Sequence, residues 1–150
     1  AEPLAGTAAY ARTWLLVEEN GPWAEDPLDS PGLAPLLPML HGWLDEGTDD
    51  DVRRIQLIRR PKTQQDSDPS DRLFYEADVR RETLVAWRGD LNATRVPLED
   101  SVVLVCTHGK RDRCCALRGQ PVFDALRLAP GNAQVWQTSH LGGHRFAATL

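Results

Sequence analysis

Long apolar runs are missing from this 150-residue chain. None approaches the roughly 20 residues that a bilayer-spanning helix needs, so no membrane partner is expected. The opening AEPLAGTAAY also lacks the basic-then-apolar layout of a secretory signal. Basic charge is not in excess: Lys plus Arg number 17 against 22 Asp plus Glu, a net charge of −5 at pH 7. That balance argues against a nucleic-acid backbone as the main partner, although local basic patches remain compatible with it. Cysteine is scarce, at three residues, and Cys114 and Cys115 are neighbours. Three thiols cannot all pair within one chain, and a direct bond between neighbours strains the backbone, so a disulfide scaffold is a poor reading. A reducing, cytoplasmic compartment with thiols kept for a metal or a redox role fits better.

What is present is ordinary globular composition, 41% hydrophobic and 26% charged, enough for one domain over residues 1–150 with a real core. The chain begins without Met and stops at RFAATL inside an expected helix, so it is expected to be trimmed at one or both ends. Thr13 to Glu18 is a short apolar, β-rich run stopped by Asn20-Gly21-Pro22 and is expected to be a buried strand. Leu33, Leu36, Leu37, Leu40, Trp43 and Leu44 recur at helical spacing. Asp29 or Ser30 is the candidate cap, Pro31 the candidate first residue, and Gly47 the stop. Pro35 and Pro38 interrupt the first turns of that pattern. His41 is expected on the helix surface.

Further strands are expected over Arg54 to Arg59, over Leu73 to Asp78 and Thr83 to Trp87 as a hairpin, over Ser101 to Cys106, and over Gln134 to Thr138. The polar stretch from Lys62 to Asp71 and the connection from Asp90 to Asp100 read as loops. Ser101 to Cys106, apolar without alternation, reads as a strand covered on both faces. Helices are expected over Pro121 to Leu128 and from Gly143 to Leu150. No repeat or low-complexity tract interrupts this order. The order implies an α/β fold, one mixed sheet with helices on both faces.

The last third concentrates soft and borderline donors: Cys106, Cys114 and Cys115 with His108, His140 and His144. Cys106 ends a strand, and the loop from Thr107 to Arg113 carries a second thiol back towards it. His140 ends the next strand. His144 follows across two glycines, whose missing Cβ atoms let the backbone turn tightly. Two thiolates and two imidazoles can therefore converge at the carboxyl ends of adjacent strands, where open α/β sheets place ligands. Such a set suits structural zinc or a [2Fe–2S] cluster with mixed ligation. Zinc fingers usually hold each ligand pair two to five residues apart. The wider spacing of Cys106 and Cys115 leans towards the larger object.

The string Cys106-Thr-His-Gly-Lys-Arg-Asp112-Arg-Cys-Cys115, then Val135-Trp136, His140-Leu-Gly-Gly-His144 and Arg145-Phe-Ala, resembles the sucrase/ferredoxin-like family. These are thioredoxin-like [2Fe–2S] ferredoxins that include the fungal actin-patch-distal proteins. Gly6-Thr7-Ala8, Trp14 to Glu18 and Gly21-Pro22-Trp23 resemble that family's opening. The resemblance implies a thioredoxin-like mixed sheet and a [2Fe–2S] cluster on Cys106, Cys115, His140 and His144. Sugar cleavage is not implied, because no paired-carboxylate arrangement supports it.

The expected protein is thus an electron carrier rather than an enzyme, receiving electrons from a reductase and passing them to an acceptor enzyme. Cys114 is expected as a small packed side chain and His108 as a hydrogen-bonding support for the loop. Asp112 is expected to cap or brace that loop with Arg113 or Arg118. Lys110, Arg111 and Arg113 form a basic rim that would attract an acidic partner, and Trp136 is expected to shield the site. Two rivals use the same residues: a Cys2His2 zinc protein, and a thiol redox enzyme cycling Cys106 with Cys114 or Cys115. The second lacks C-x-x-C spacing and leaves both histidines without a role. A structural interaction module ranks third.

Overall fold

The computed structural model describes residues 10–61, 68–131 and 134–142. Seven strands form one sheet: β1 (Thr13–Glu18), β2 (Arg53–Arg59), β3 (Leu73–Asp78), β4 (Thr83–Arg88), β5 (Val96–Pro97), β6 (Val102–Cys106) and β7 (Gln134–Thr138). Among the described residues two α-helices accompany them, α1 (Leu37–Asp45) and α2 (Arg113–Leu128). The strand order is β5-β4-β3-β1-β2-β7-β6. β1 and β2 pair in parallel, as do β6 and β7, while β2 meets β7 antiparallel. The architecture is α/β with a mixed sheet, consistent with a thioredoxin-like fold. Among the described residues no helix is long and apolar enough to cross a membrane.

Each parallel pair needs a crossover, and crossovers of this kind are right-handed in nearly all sheets. The two pairs run in opposite directions and step in opposite directions across the sheet. A right-handed path therefore puts α1 and α2 on the same face, so the expected cover of helices on both faces is not found among the described residues. Side chains agree: Leu40 and Trp43 of α1 join Leu15, Val17, Leu57 and Phe74 in one buried cluster. Phe123 of α2 shares a cavity wall with Arg59, which projects from β2 to the same side as Leu57. The opposite face carries a second cluster of Leu16, Ile58, Leu73, Tyr75 and Trp136. The helix expected over 143–150 lies outside the described residues, as does the 62–67 part of the expected loop.

Several expectations are corrected. Pro31–Leu36 is a 3-10 helix that hands over to α1 at Leu37. Pro35 lies inside that tighter turn and Pro38 in the first turn of α1, where a missing N–H costs little. Ser30 precedes the 3-10 segment without capping it; its hydroxyl instead accepts from the Ala24 N–H at 3.0 Å. Helix α2 begins eight residues before Pro121, at Arg113, because Asp112 caps it; Pro121 is carried inside. Strand β6, expected to be covered on both faces, is an edge strand whose first three residues are half-buried. The expected Asp90–Asp100 connection contains the two-residue strand β5.

Candidate metal centre

Parallel pairing in register sets Cys106 opposite Thr138, so β6 and β7 end together and His140 stands two residues beyond. The second thiol arrives from α2. Its cap is Asp112, whose carboxylate accepts from the Cys114 N–H at 2.7 Å, while the Cys115 N–H bonds the Asp112 carbonyl at 3.1 Å. Gly119 lies four residues after Cys115 on the same helix face. A Cβ at Gly119 would sit 2.0 Å from the Cys106 carbonyl oxygen. Only glycine lets this face press against the end of β6, and that approach brings Cys115 onto Cys106.

The result is a compact donor group: Cys106 Sγ, Cys115 Sγ and a ring nitrogen of His140 lie within 4.8 Å of one another. His140 Nδ1 is 3.6 Å from Cys115 Sγ and 3.9 Å from Cys106 Sγ. Both sulfurs are fully buried. Burial, then the neighbouring Cys106, pushes the Cys115 thiol up to about 12. The buried Cys115 thiol resists ionisation for want of a compensating charge, and a bound cation would supply that charge and favour the thiolate. Soft sulfur with borderline imidazole suits zinc or iron rather than calcium or magnesium.

His140 is held by its own backbone. Its N–H donates to His108 Nδ1 at 3.3 Å and its carbonyl accepts from Gln56 Nε2 at 3.2 Å. Gln56 also accepts a hydrogen bond from the Ser139 hydroxyl, and that hydroxyl in turn accepts from the Leu57 N–H. His108 is 2% exposed. Its Nε2 bonds the Ala24 carbonyl at 2.8 Å and its ring meets Trp23 edge-on. These partners require the neutral Nε2–H tautomer with both nitrogens engaged. Burial above all lowers the His108 pKa, in keeping with a neutral ring. His108 is thus a brace between the Trp23–Ala24 loop and His140.

Of the remaining sequence candidates, Cys114 is exposed beside the pair rather than packed as expected, because the first turn of α2 turns it to solvent while Cys115 faces inward. Asp112 is a helix cap rather than a brace of Arg113 or Arg118 alone. Lys110 and Arg113 are exposed, and Arg111 reaches Glu25 at 3.6 Å across the surface. Trp136 packs edge-on against Tyr75, ring centres 5.9 Å apart, in the cluster on the second face. His144 lies outside the described residues. Gln56, Ser139, Ala24 and Gly119 were not singled out in the sequence. A polar residue inside the apolar run Ile55-Gln56-Leu57 was the one available signal, since a buried amide needs partners.

A curated relative, "Altered inheritance of mitochondria protein 32" of Eremothecium gossypii, is 36% identical over 56 residues, 36% of this chain and 18% of that protein's length. The matched segment thus spans under a fifth of that relative. No solved structure matches the chain. The profile of one family matches residues 4–150, nearly the whole chain. The protein belongs to the Sucrase/ferredoxin-like family.

Proposed function

We propose that this chain is an electron-transfer protein holding one [2Fe–2S] cluster through Cys106, Cys115, His140 and His144. The observation that carries the reading is the convergence of two buried thiols and His140 Nδ1 at the ends of β6 and β7. The family's description, which includes ferredoxin-like proteins, supports a cluster over other soft-metal sites. When bound, the cluster supplies one-electron redox chemistry, and imidazole in place of two thiolates raises its potential. The chain's own residues bind and orient. Gly119 and the Asp112 cap set Cys115 beside Cys106, and His108 with Gln56 fixes His140. The sulfurs are kept from water by full burial. A reductase as donor and an acceptor enzyme are the partners this role requires. Lys110, Arg111 and Arg113 would favour an acidic contact surface on either.

Iron and sulfide analysis with EPR of the reduced protein tests the reading. Two irons and two sulfides per chain are expected, with low average g values of the Rieske type that move in His144→Cys. Absence of iron from protein purified anaerobically would overturn it.

A specific observation favours a second reading, a structural zinc ion. The 3.6 Å Sγ–Nδ1 separation is what tetrahedral geometry with Zn–S of roughly 2.3 Å and Zn–N of roughly 2.1 Å gives. Metal analysis separates the two, because zinc has no visible absorption.

A further inference from the structure

Strand β2 ends by carrying a cation into the covered face of the sheet. Arg59 projects to the side of the fully buried Leu57, and its guanidinium stacks on Trp23 with Cζ 3.5 Å from the ring centre. Its Nε is sealed from solvent without a hydrogen-bond partner. The acid whose charge reaches it, Glu19, is already bonded by Arg72 Nη2 at 2.9 Å and by the Gly21 N–H at 2.8 Å. Desolvation pushes the Arg59 pKa down to about 10. Folded chains seldom keep a desolvated cation without a direct ion-pair partner, since removing it from water is costly unless a partner compensates.

That guanidinium lines a cavity of about 580 Å³ between α2 and the Asn20–Pro22 turn. The volume lies in the range of small-molecule sites. Phe123 and Gln137 form further walls, with the Arg127–Asp124 pair at its side. Gln137 spends its amide oxygen on the Thr107 hydroxyl at 3.0 Å, which leaves its NH2 group as a donor. Stacking on Trp23 fixes the plane of the guanidinium, and with Nε sealed its two Nη groups are the pair of donors it can offer to one oxyanion.

We infer that this cavity binds a small organic anion, its carboxylate or phosphate group seated on Arg59 with the Gln137 amide as second donor. The site uses none of the thiol–imidazole donors, although Trp23 touches both Arg59 and His108, and the proposal stands whichever metal that group takes. The purified chain, with the metal it carries, is to be unfolded thermally in inorganic phosphate, in succinate, and in chloride at matched ionic strength. A saturable rise in Tm above the chloride curve is expected. Phosphate acting alone identifies a phosphoryl ligand, and succinate acting alone a carboxylate.

Arg59→Met keeps much of the stem without the charge. It should raise the Tm of the anion-free protein and abolish the saturable rise. Arg59→Lys keeps the charge but loses the fork, and should raise the half-saturating concentration roughly tenfold. It decides the matter if Arg59→Met does not fold. The inference is overturned if neither anion exceeds chloride, or if Arg59→Lys responds at the wild-type concentration.

Discussion

The molecule contains the same topological unit twice, put to opposite uses. In β1-α1-β2 the strands lie at the centre of the sheet, and Leu15, Val17, Leu40 and Leu57 are fully sealed from solvent. In β6-α2-β7 one strand is the sheet edge, and what is buried at its end is two thiols and a helix glycine. The first unit is held by apolar volume. The second is held by a cap, a close backbone approach and a chain of hydrogen bonds. A central unit can be a rigid platform because it has neighbours on both sides; the edge unit leaves its strand ends open for chemistry.

The largest expected effect comes from breaking the platform. Leu15→Ala removes a fully buried side chain from the central strand and should lower unfolding free energy by about 2–5 kcal/mol in a denaturant titration. Metal per folded molecule should be unchanged. Cys106→Ser should do the reverse, losing the metal while the demetallated proteins unfold within about 1 kcal/mol of each other. Metal loss from the folded fraction of Leu15→Ala would show that the two units are not separable.

One substitution, made once in each helix, sharpens the contrast. Gly119→Ala drives a Cβ to 2.0 Å from the Cys106 carbonyl, whereas Gly42→Ala on α1 meets nothing within 4 Å. Gly119→Ala should destabilise by about 1–3 kcal/mol through overpacking and weaken metal retention. Gly42→Ala should stabilise by about 0.5–1 kcal/mol through chain entropy, with metal binding untouched. Equal signs for the two would mean that the approach of α2 to β6 does not position Cys115.

The same contrast explains what could be read in advance. Strands announce themselves by local composition, so β1, β2, the β3–β4 hairpin, β6 and β7 were legible to within a residue or so. Their order across the sheet was not, because the valine-rich run of β6 reads alike at a centre or an edge. Cysteine and histidine announce donor chemistry residue by residue, but the choice of Cys115 over Cys114 and of His140 over His108 rests on the family resemblance, and the structure brings Cys106, Cys115 and His140 together. Their supports were not legible: the Ala24 carbonyl meets His108 across 84 residues, and any residue has a carbonyl. The start of α2 was hidden because Arg113 to Gln120 carries little apolar periodicity and is followed by Pro121. Asp112, three residues before Cys115, reads from the sequence as a cap or brace of the loop, with nothing local to mark the helix it caps.

A smaller effect is expected from that cap. Asp112→Ala leaves the Cys114 N–H without its acceptor and should cost about 1 kcal/mol. Asp112→Asn should recover most of it, since an amide oxygen accepts equally well. Failure of Asn to rescue would mean that the carboxylate charge, rather than the cap, supports the second unit.

The smallest effect distinguishes the units by pH. The amino ends of β1 and β2 are tied by Asp51, which accepts from Thr13 Oγ1 at 2.5 Å and from Arg53 Nε at 2.9 Å. The Thr13 hydrogen bond, then Arg53, lowers the Asp51 pKa below its ordinary 3.8. A carboxylate depressed on folding contributes stability that is fully present above 3.8 and is lost as pH falls through the lower folded value. The corresponding ends of the second unit are joined by a backbone bond, Gln134 N–H to the Ser101 carbonyl at 2.8 Å, which does not titrate. Asp51→Asn should therefore be less stable than wild type at neutral pH, by less than about 1 kcal/mol because the group is partly solvated. The two proteins should converge once acid has protonated Asp51. Urea titrations of both at neutral and strongly acidic pH measure the difference. A deficit that persists undiminished in acid would mean that the carboxylate's charge is not what closes the amino end of the first unit.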